Sequence, residues 1–171
     1  MQLSEYMLSV GTKARAAANE LLKIPTNKKN QALSAISDSI LENKSEIKKA
    51  NERDLGEAEK KGLDAASLDR LRLTDKSIDL ILHGLNQVVA LPDPIGNLEQ
   101  LSYRPNGLQV GKMRVPIGVV GIIYESRPNV TVDAAALCLK SGNSVILRGG
   151  SEAFHSNRSL VDAILLGLKK T

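Results

Sequence analysis

Apolar residues recur with helical spacing over the first ninety positions, and then the spacing changes. Leu3, Met7, Val10, Ala14, Ala17 and Leu21 fall at alternating steps of four and three, which predicts one helix with a single apolar stripe. Pro25 breaks it. Thr26 is placed to cap a second helix carrying Leu33, Ile36, Ile40 and Ile47 on a narrow seam, and Gly62 to end the charged continuation of that helix. Asp64 is placed to cap a short turn through Leu71. A further helix starts at Thr74 or Asp75, with Ile78, Ile81, Leu82, Leu85, Val88 and Val89 at full amphipathic spacing. Pro92 and Pro94 stop it and mark a boundary.

Beyond that boundary the pattern is one of strands. Leu98 to Tyr103 and Leu108 to Val115 flank Asn106-Gly107, a hairpin signal. A lone hairpin is not stable in water, so it lies either on another subunit, on a further part of the protein, or on its own domain; the sequence leaves these open. Gly118 to Tyr124 is a continuous apolar run, as in a strand buried on both faces. A helix from about Thr131, closed by Gly142, leads to a second buried strand from Ser144 to Arg148. Gly149-Gly150 turns the chain, and Ser156 or Asn157 is placed to cap a last helix reaching Lys170. The fold class is α/β: a helical region, a hairpin, and the opening of a parallel α/β unit. Two apolar parallel strands leave edges and faces uncovered, so the unit is expected to need a partner or further chain.

Composition narrows the function. The 171 residues are 42% hydrophobic and 25% charged, as in an ordinary globular protein. Aromatic residues make up 2% and Trp is absent, which argues against stacking on single-stranded nucleic acid. The net charge is +4, and Lys28, Lys29, Lys44, Lys48, Lys49, Lys60 and Lys61 alternate with Glu42, Glu46, Glu52, Glu57 and Glu59. That alternation predicts a solvated helix face rather than a basic stripe. No apolar run has the length of a membrane span, and the start of the chain lacks a signal-peptide core. One cysteine rules out an internal disulfide and fits a cytoplasmic location.

Ligands of open α/β sheets bind beyond the carboxyl ends of the strands. Two segments are predicted there. In Glu125-Ser126-Arg127-Pro128-Asn129, Pro128 keeps Arg127 extended and delays the helix. Arg127 suits a phosphate or carboxylate, and Asn129 suits a developing oxyanion. The plain alternative is a helix-entry loop in which Arg127 pairs with Glu125. In Arg148-Gly149-Gly150-Ser151-Glu152, two glycines allow close backbone approach and an anion-binding nest, with Arg148 near a ribose or 2′-phosphate. The alternative is a tight turn with Arg148 solvated. Neither G-x-G-x-x-G nor a P-loop is present. Cys138, inside an apolar helix, is expected to be a buried filler rather than a nucleophile, and His83 a surface residue. His155 has no second His or Cys at metal-ligand spacing, so no metal site is expected.

The run VPIGVVGIIYESRPNVTVDAAALCLKSGNSVILRGGSEAFHSN closely resembles the γ-glutamyl phosphate reductase (glutamate-5-semialdehyde dehydrogenase) family of the aldehyde dehydrogenase superfamily. ALPDPIGN and RPNGLQVGKMRVPIG upstream resemble it too. The resemblance implies NADPH-dependent reduction of γ-glutamyl phosphate to glutamate 5-semialdehyde and phosphate in proline biosynthesis, through a cysteine thioester. It implies a helical region of the cofactor domain over 1–94, an oligomerisation hairpin over 95–115 and the first unit of a Rossmann-like NADP-binding domain over 116–171. It places Tyr124, Glu125, Arg148, Gly149, Gly150, Ser151 and Glu152 at the cofactor, Asn129 as the oxyanion amide, and Arg127 with Asn129 at the substrate.

Members of the family are more than twice as long. The resemblance therefore implies that the catalytic domain and its cysteine lie outside this sequence, that the chain alone is inactive, and that the full-length protein is a homo-oligomer. A non-catalytic nucleotide-binding or assembly protein is the competing reading, and a nucleic-acid-binding module the least supported.

Overall fold

The computed structural model describes residues 2–171. Five helices come first: α1 (Leu3–Leu21), α2 (Thr26–Glu42), α3 (Lys44–Lys60), α4 (Ala65–Leu71) and α5 (Asp75–Ala90). A hairpin of β1 (Leu98–Tyr103) and β2 (Gln109–Met113) follows, and then β3 (Val119–Ile123), α6 (Asn129–Lys140), β4 (Ser144–Arg148) and α7 (Phe154–Leu168).

Local chemistry accounts for most of the boundaries. At α4, Asp64 Oδ1 accepts the Ser67 amide at 2.6 Å. At α5, Thr74 Oγ1 accepts the Ser77 amide at 3.1 Å while the Thr74 amide donates to Ser77 Oγ, a reciprocal cap. Gly62 and Gly142 end α3 and α6 at φ +75° and +69°, where a side chain would be strained. In each case the next residue's amide reaches back to a helix carbonyl, Leu63 to Ala58 and Asn143 to Cys138.

Three helix expectations need correction. The second helix is not continuous: Asn43 divides α2 from α3, its side-chain amide donating to the Ser39 carbonyl at 2.8 Å and so ending α2 from within. Thr26 does not cap α2, because its hydroxyl donates instead to Asp93 at 2.8 Å. Lys29 is not on a solvated face. It is buried and ion-paired with Asp93 at 2.8 Å, tying α2 to the segment after α5.

The core forms where α7 crosses α2 and α3 and where α5 packs on α2 and α6. Leu33, Ile40, Ile47, Ile78 and Leu160 are fully buried there. The predicted apolar stripe of α1 stays outside it: Leu3, Met7 and Ala17 are exposed, Val10, Ala14 and Leu21 are only partly covered, and the buried residue of that helix is Ala18, off the stripe.

β3 and β4 pair in parallel from Val119 with Ser144 to Ile123 with Arg148. Val120, Ile122, Val145 and Leu147 are partly covered, whereas Gly121 and Ile123 lie open, so β3 is not buried on both faces in this chain. The hairpin closes through three loop residues, with Gly107 at φ +83° and the Arg104 amide on the Leu108 carbonyl. Both strands are solvent-exposed, with Leu98, Leu101, Tyr103 and Met113 all more than half accessible. The hairpin does not bury itself on its own domain.

Candidate functional site

The carboxyl ends of β3 and β4 lie side by side, and the loops that leave them are joined. The Tyr124 amide extends the ladder by donating to the Arg148 carbonyl at 3.1 Å. The Tyr124 hydroxyl is 2.6 Å from Thr131 Oγ1, and Thr131 Oγ1 donates to Asn157 Oδ1 at 3.0 Å. With the threonine proton committed to Asn157, the tyrosine is the donor of the first bond. One chain of hydrogen bonds thus ties the end of β3 to α6 and α7. Thr131 is fully buried, so the link is sheltered from water.

Ser126 adopts φ +48°, which points its amide toward the neighbouring loop. Glu152 Oε1 accepts that amide at 2.5 Å and the Ser126 hydroxyl at 3.2 Å. Partial burial opposes ionisation of Glu152, but the hydrogen bonds from its own amide and from Ser126 outweigh it and hold the carboxyl below its ordinary value.

This changes the meaning of the glycine pair. A Cβ on Gly150 would collide with the Glu152 carboxylate, and one on Gly149 with the Asn157 amide and the Tyr124 ring. Neither glycine has a positive φ. Their missing side chains make room for neighbours inside the protein, and the anion resting against Gly150 is the chain's own Glu152. Ser151 opens a short 3-10 turn that leads into α7.

Other predicted site residues face solvent. Arg127, Glu125 and Arg148 are exposed, and none of them makes an ion pair among the described residues. The alternative in which Arg127 pairs with Glu125 is therefore absent. Asn129 opens α6, and its side-chain amide donates to Asp133 Oδ2 at 3.1 Å, one turn along. An amide carries two hydrogens, so a second remains available. Cys138 is buried, and burial pushes its thiol pKa up, disfavouring the thiolate. His83 is exposed, and His155 stands 3.5 Å from Glu57.

Two features escaped the sequence reading. Asp133 was recoverable from its spacing of four from Asn129 on one helix. The α7 cap was not. Asp54 of α3 accepts the amides of His155 and Ser156 at 3.0 and 2.7 Å and the Ser156 hydroxyl at 2.6 Å. The expected caps, Ser156 and Asn157, lie inside α7, and Ser156 is there a donor to the residue that does the capping.

No family model matches the chain. Among solved structures, it superposes on a γ-glutamyl phosphate reductase from Thermotoga maritima with a TM-score of 0.92 and 43% identity, over 96% of this chain and 40% of that one. A γ-glutamyl phosphate reductase from Saccharomyces cerevisiae gives a TM-score of 0.91 and 32% identity, over 95% of this chain and 41% of that one. The NAD-dependent benzaldehyde dehydrogenase of Corynebacterium glutamicum gives a TM-score of 0.66 at 20% identity, over 88% of this chain and 31% of that one, a likeness of fold. The chain spans about two-fifths of the length of the two reductases.

Proposed function

The chain belongs with the γ-glutamyl phosphate reductases, matching about two-fifths of their length, and on that footing we propose that a protein carrying it reduces γ-glutamyl phosphate to glutamate 5-semialdehyde and phosphate in proline biosynthesis. The observation that carries the reading is 43% identity to the Thermotoga maritima reductase over 96% of this chain. The loops at the strand ends support it. Arg127 offers an unpaired guanidinium to the phosphate or a carboxylate of the substrate. Asn129 offers its free amide hydrogen to the carbonyl oxygen as negative charge builds on it.

NADPH would supply the hydride. The donor set suits that cofactor in part. Arg148, unpaired at the end of β4, is the group for the adenosine ribose and its 2′-phosphate. Glu152, an ionised acceptor already engaged with Ser126, repels phosphate and suits a ribose hydroxyl instead. Tyr124, Glu125, Gly149, Gly150 and Ser151 would form the walls around these contacts. The nucleophilic cysteine is assigned to the remaining length of the reductase, since burial makes Cys138 a poor thiolate. Homo-oligomerisation through the exposed hairpin and a cytoplasmic location belong to the same proposal. No helix among the described residues is long and apolar enough to cross a membrane.

The test is phosphate-dependent reduction of NADP⁺ with glutamate semialdehyde, comparing this chain with a protein of the relatives' full length that carries it. Turnover in the longer protein alone is expected. Turnover by the 171-residue chain would make Cys138 catalytic and overturn the assignment of the nucleophile. Absence of turnover in both would favour a nucleotide-binding or assembly role.

A further inference from the structure

A cleft of about 360 Å³ opens between the α4–α5 connection and the start of α6, bounded by Arg72, Leu73, Ile81, Asn129 and Asp133. Its size is within the ~300–1,000 Å³ range of small-molecule sites. Its position is notable because Asn129, the residue assigned to the reacting carbonyl, forms one wall.

The opposite wall is Arg72. Its side chain makes no ion pair and no hydrogen bond among the described residues, yet its backbone is firmly held. Leu71 and Leu73 on either side are buried. Asn51, buried in α3, donates to the Leu71 carbonyl at 2.8 Å and accepts the Leu73 amide at 2.8 Å. One side chain thus clamps both neighbours of Arg72 and presents its guanidinium from a rigid base. Asp69 and Arg70 line the cleft too, but the Arg70 guanidinium is tied to Ser67 at 3.0 Å within its own helix.

Asp133 completes the arrangement. Burial raises its carboxyl pKa, the hydrogen bond from Asn129 opposes this only in part, and no cation pairs with it among the described residues. The carboxylate is open to solvent at the cleft and keeps acceptor capacity beyond that one bond, so it can take an arriving cation.

Resting on the reductase reading above, we propose that this cleft binds the amino-acid end of the substrate, Arg72 taking its α-carboxylate and Asp133 its α-ammonium. An unpaired fork of donors suits a carboxylate, and an unpaired acceptor suits an ammonium. Asn129 and Asp133 stand one helical turn apart on one face of α6, and their side chains meet at 3.1 Å, so the two polar groups form a single patch in the cleft. Leu73 and Ile81 line the same cleft and provide an apolar wall for the substrate's methylenes.

The test uses a full-length reductase carrying this chain, assayed in the oxidative direction with glutamate semialdehyde and with glutarate semialdehyde, which lacks only the amine. Asp133→Asn is expected to raise KM for glutamate semialdehyde by about tenfold and to bring the two aldehydes toward parity. Arg72→Ala and Arg72→Lys are expected to raise KM for both aldehydes, Lys less than Ala, with KM for NADP⁺ unchanged. Thermal melting of each variant separates these effects from misfolding. Wild-type discrimination in Asp133→Asn, or unchanged KM in both Arg72 variants, would overturn the subsite while leaving the reductase reading intact. No turnover of either aldehyde by the unsubstituted protein would overturn the reductase reading and the subsite with it.

Discussion

Glu152 holds Ser126: one carboxylate oxygen accepts both the amide and the hydroxyl of a residue in the left-handed conformation, at 2.5 and 3.2 Å. This bond joins the two loops that leave β3 and β4. The two loops are therefore fastened to each other through an ionised acid. Glu152→Ala should lower stability by about 1 kcal/mol, below the usual range for hydrogen bonds to a charged group because Glu152 is partly solvated. Urea titration of the variant against the parent measures it. The contribution should also follow pH. The folded carboxyl lies below its ordinary value, so its stabilisation is full above the unfolded pKa and is lost as pH falls from that value through the lowered one. Glu152→Gln should flatten this part of the acid-unfolding curve, and a parallel curve would contradict the assignment.

Lys29 and Asp93 form a pair that water hardly reaches, with side-chain exposures of 4% and 11%. Removing one partner leaves the other charge buried. Asp93→Asn or Lys29→Met alone should cost about 3 kcal/mol, whereas replacing both with apolar residues should cost much less. A double-mutant cycle by chemical denaturation would show the coupling, and additive losses would deny it.

Asp54 caps α7 from α3. Asp54→Ala strips acceptors from two buried-end amides and a hydroxyl and should cost about 2 kcal/mol or more. Hydrogen exchange at His155 and Ser156 should accelerate before exchange elsewhere in α7. Protection unchanged at those two amides would show that something else caps the helix.

At Gly167, α7 packs directly on the backbone of α2. A Cβ there would stand 2.7 Å from the Ala35 carbonyl oxygen and 2.7 Å from Ile36 Cα, both backbone atoms that cannot swing aside. Gly167→Ala should therefore destabilise the chain by about 1–3 kcal/mol despite alanine's better helix propensity. A rise in melting temperature would mean that the two helices are not packed this tightly.

In a full-length reductase carrying this chain, Arg127→Ala should reduce kcat/KM for γ-glutamyl phosphate by about tenfold or more and leave cofactor affinity near its original value. Cys138→Ser should leave covalent chemistry intact. Loss of the acyl-enzyme signal in the Ser variant, read by mass spectrometry, would place the nucleophile in α6.

Much of this molecule is legible along the chain, because periodicity and caps are local. The buried seam of Leu33, Ile36 and Ile40 in α2, the start of α5 at Thr74, the glycine ends at Gly62 and Gly142, and the strands on either side of α6 all follow from neighbours a few positions apart. The family resemblance is equally a property of the string, and it too was visible there. The loops at the strand ends were located for the same reason: turn residues sit where the apolar runs stop.

The tertiary structure decided what those loops contain. Gly149 and Gly150 read as room for a ligand, but the room is filled by Asn157, Tyr124 and Glu152. Glu152 is a near neighbour in the chain, but Tyr124 comes from the end of β3 and Asn157 from α7, an approach no local pattern encodes. Lys29 read as solvated because it lies in a charged run, and it is buried because Asp93 reaches it from sixty-four residues away. Asp54 and Asn51 lie in the most polar helix of the chain and serve as the cap of α7 and the clamp on Arg72. A polar side chain shows its chemical type in the sequence, but its partner is set by packing, since a buried donor or acceptor takes whatever group the fold brings to it. The periodic apolar positions determined the elements, and the long-range polar pairs determined which of their side chains are left unpaired.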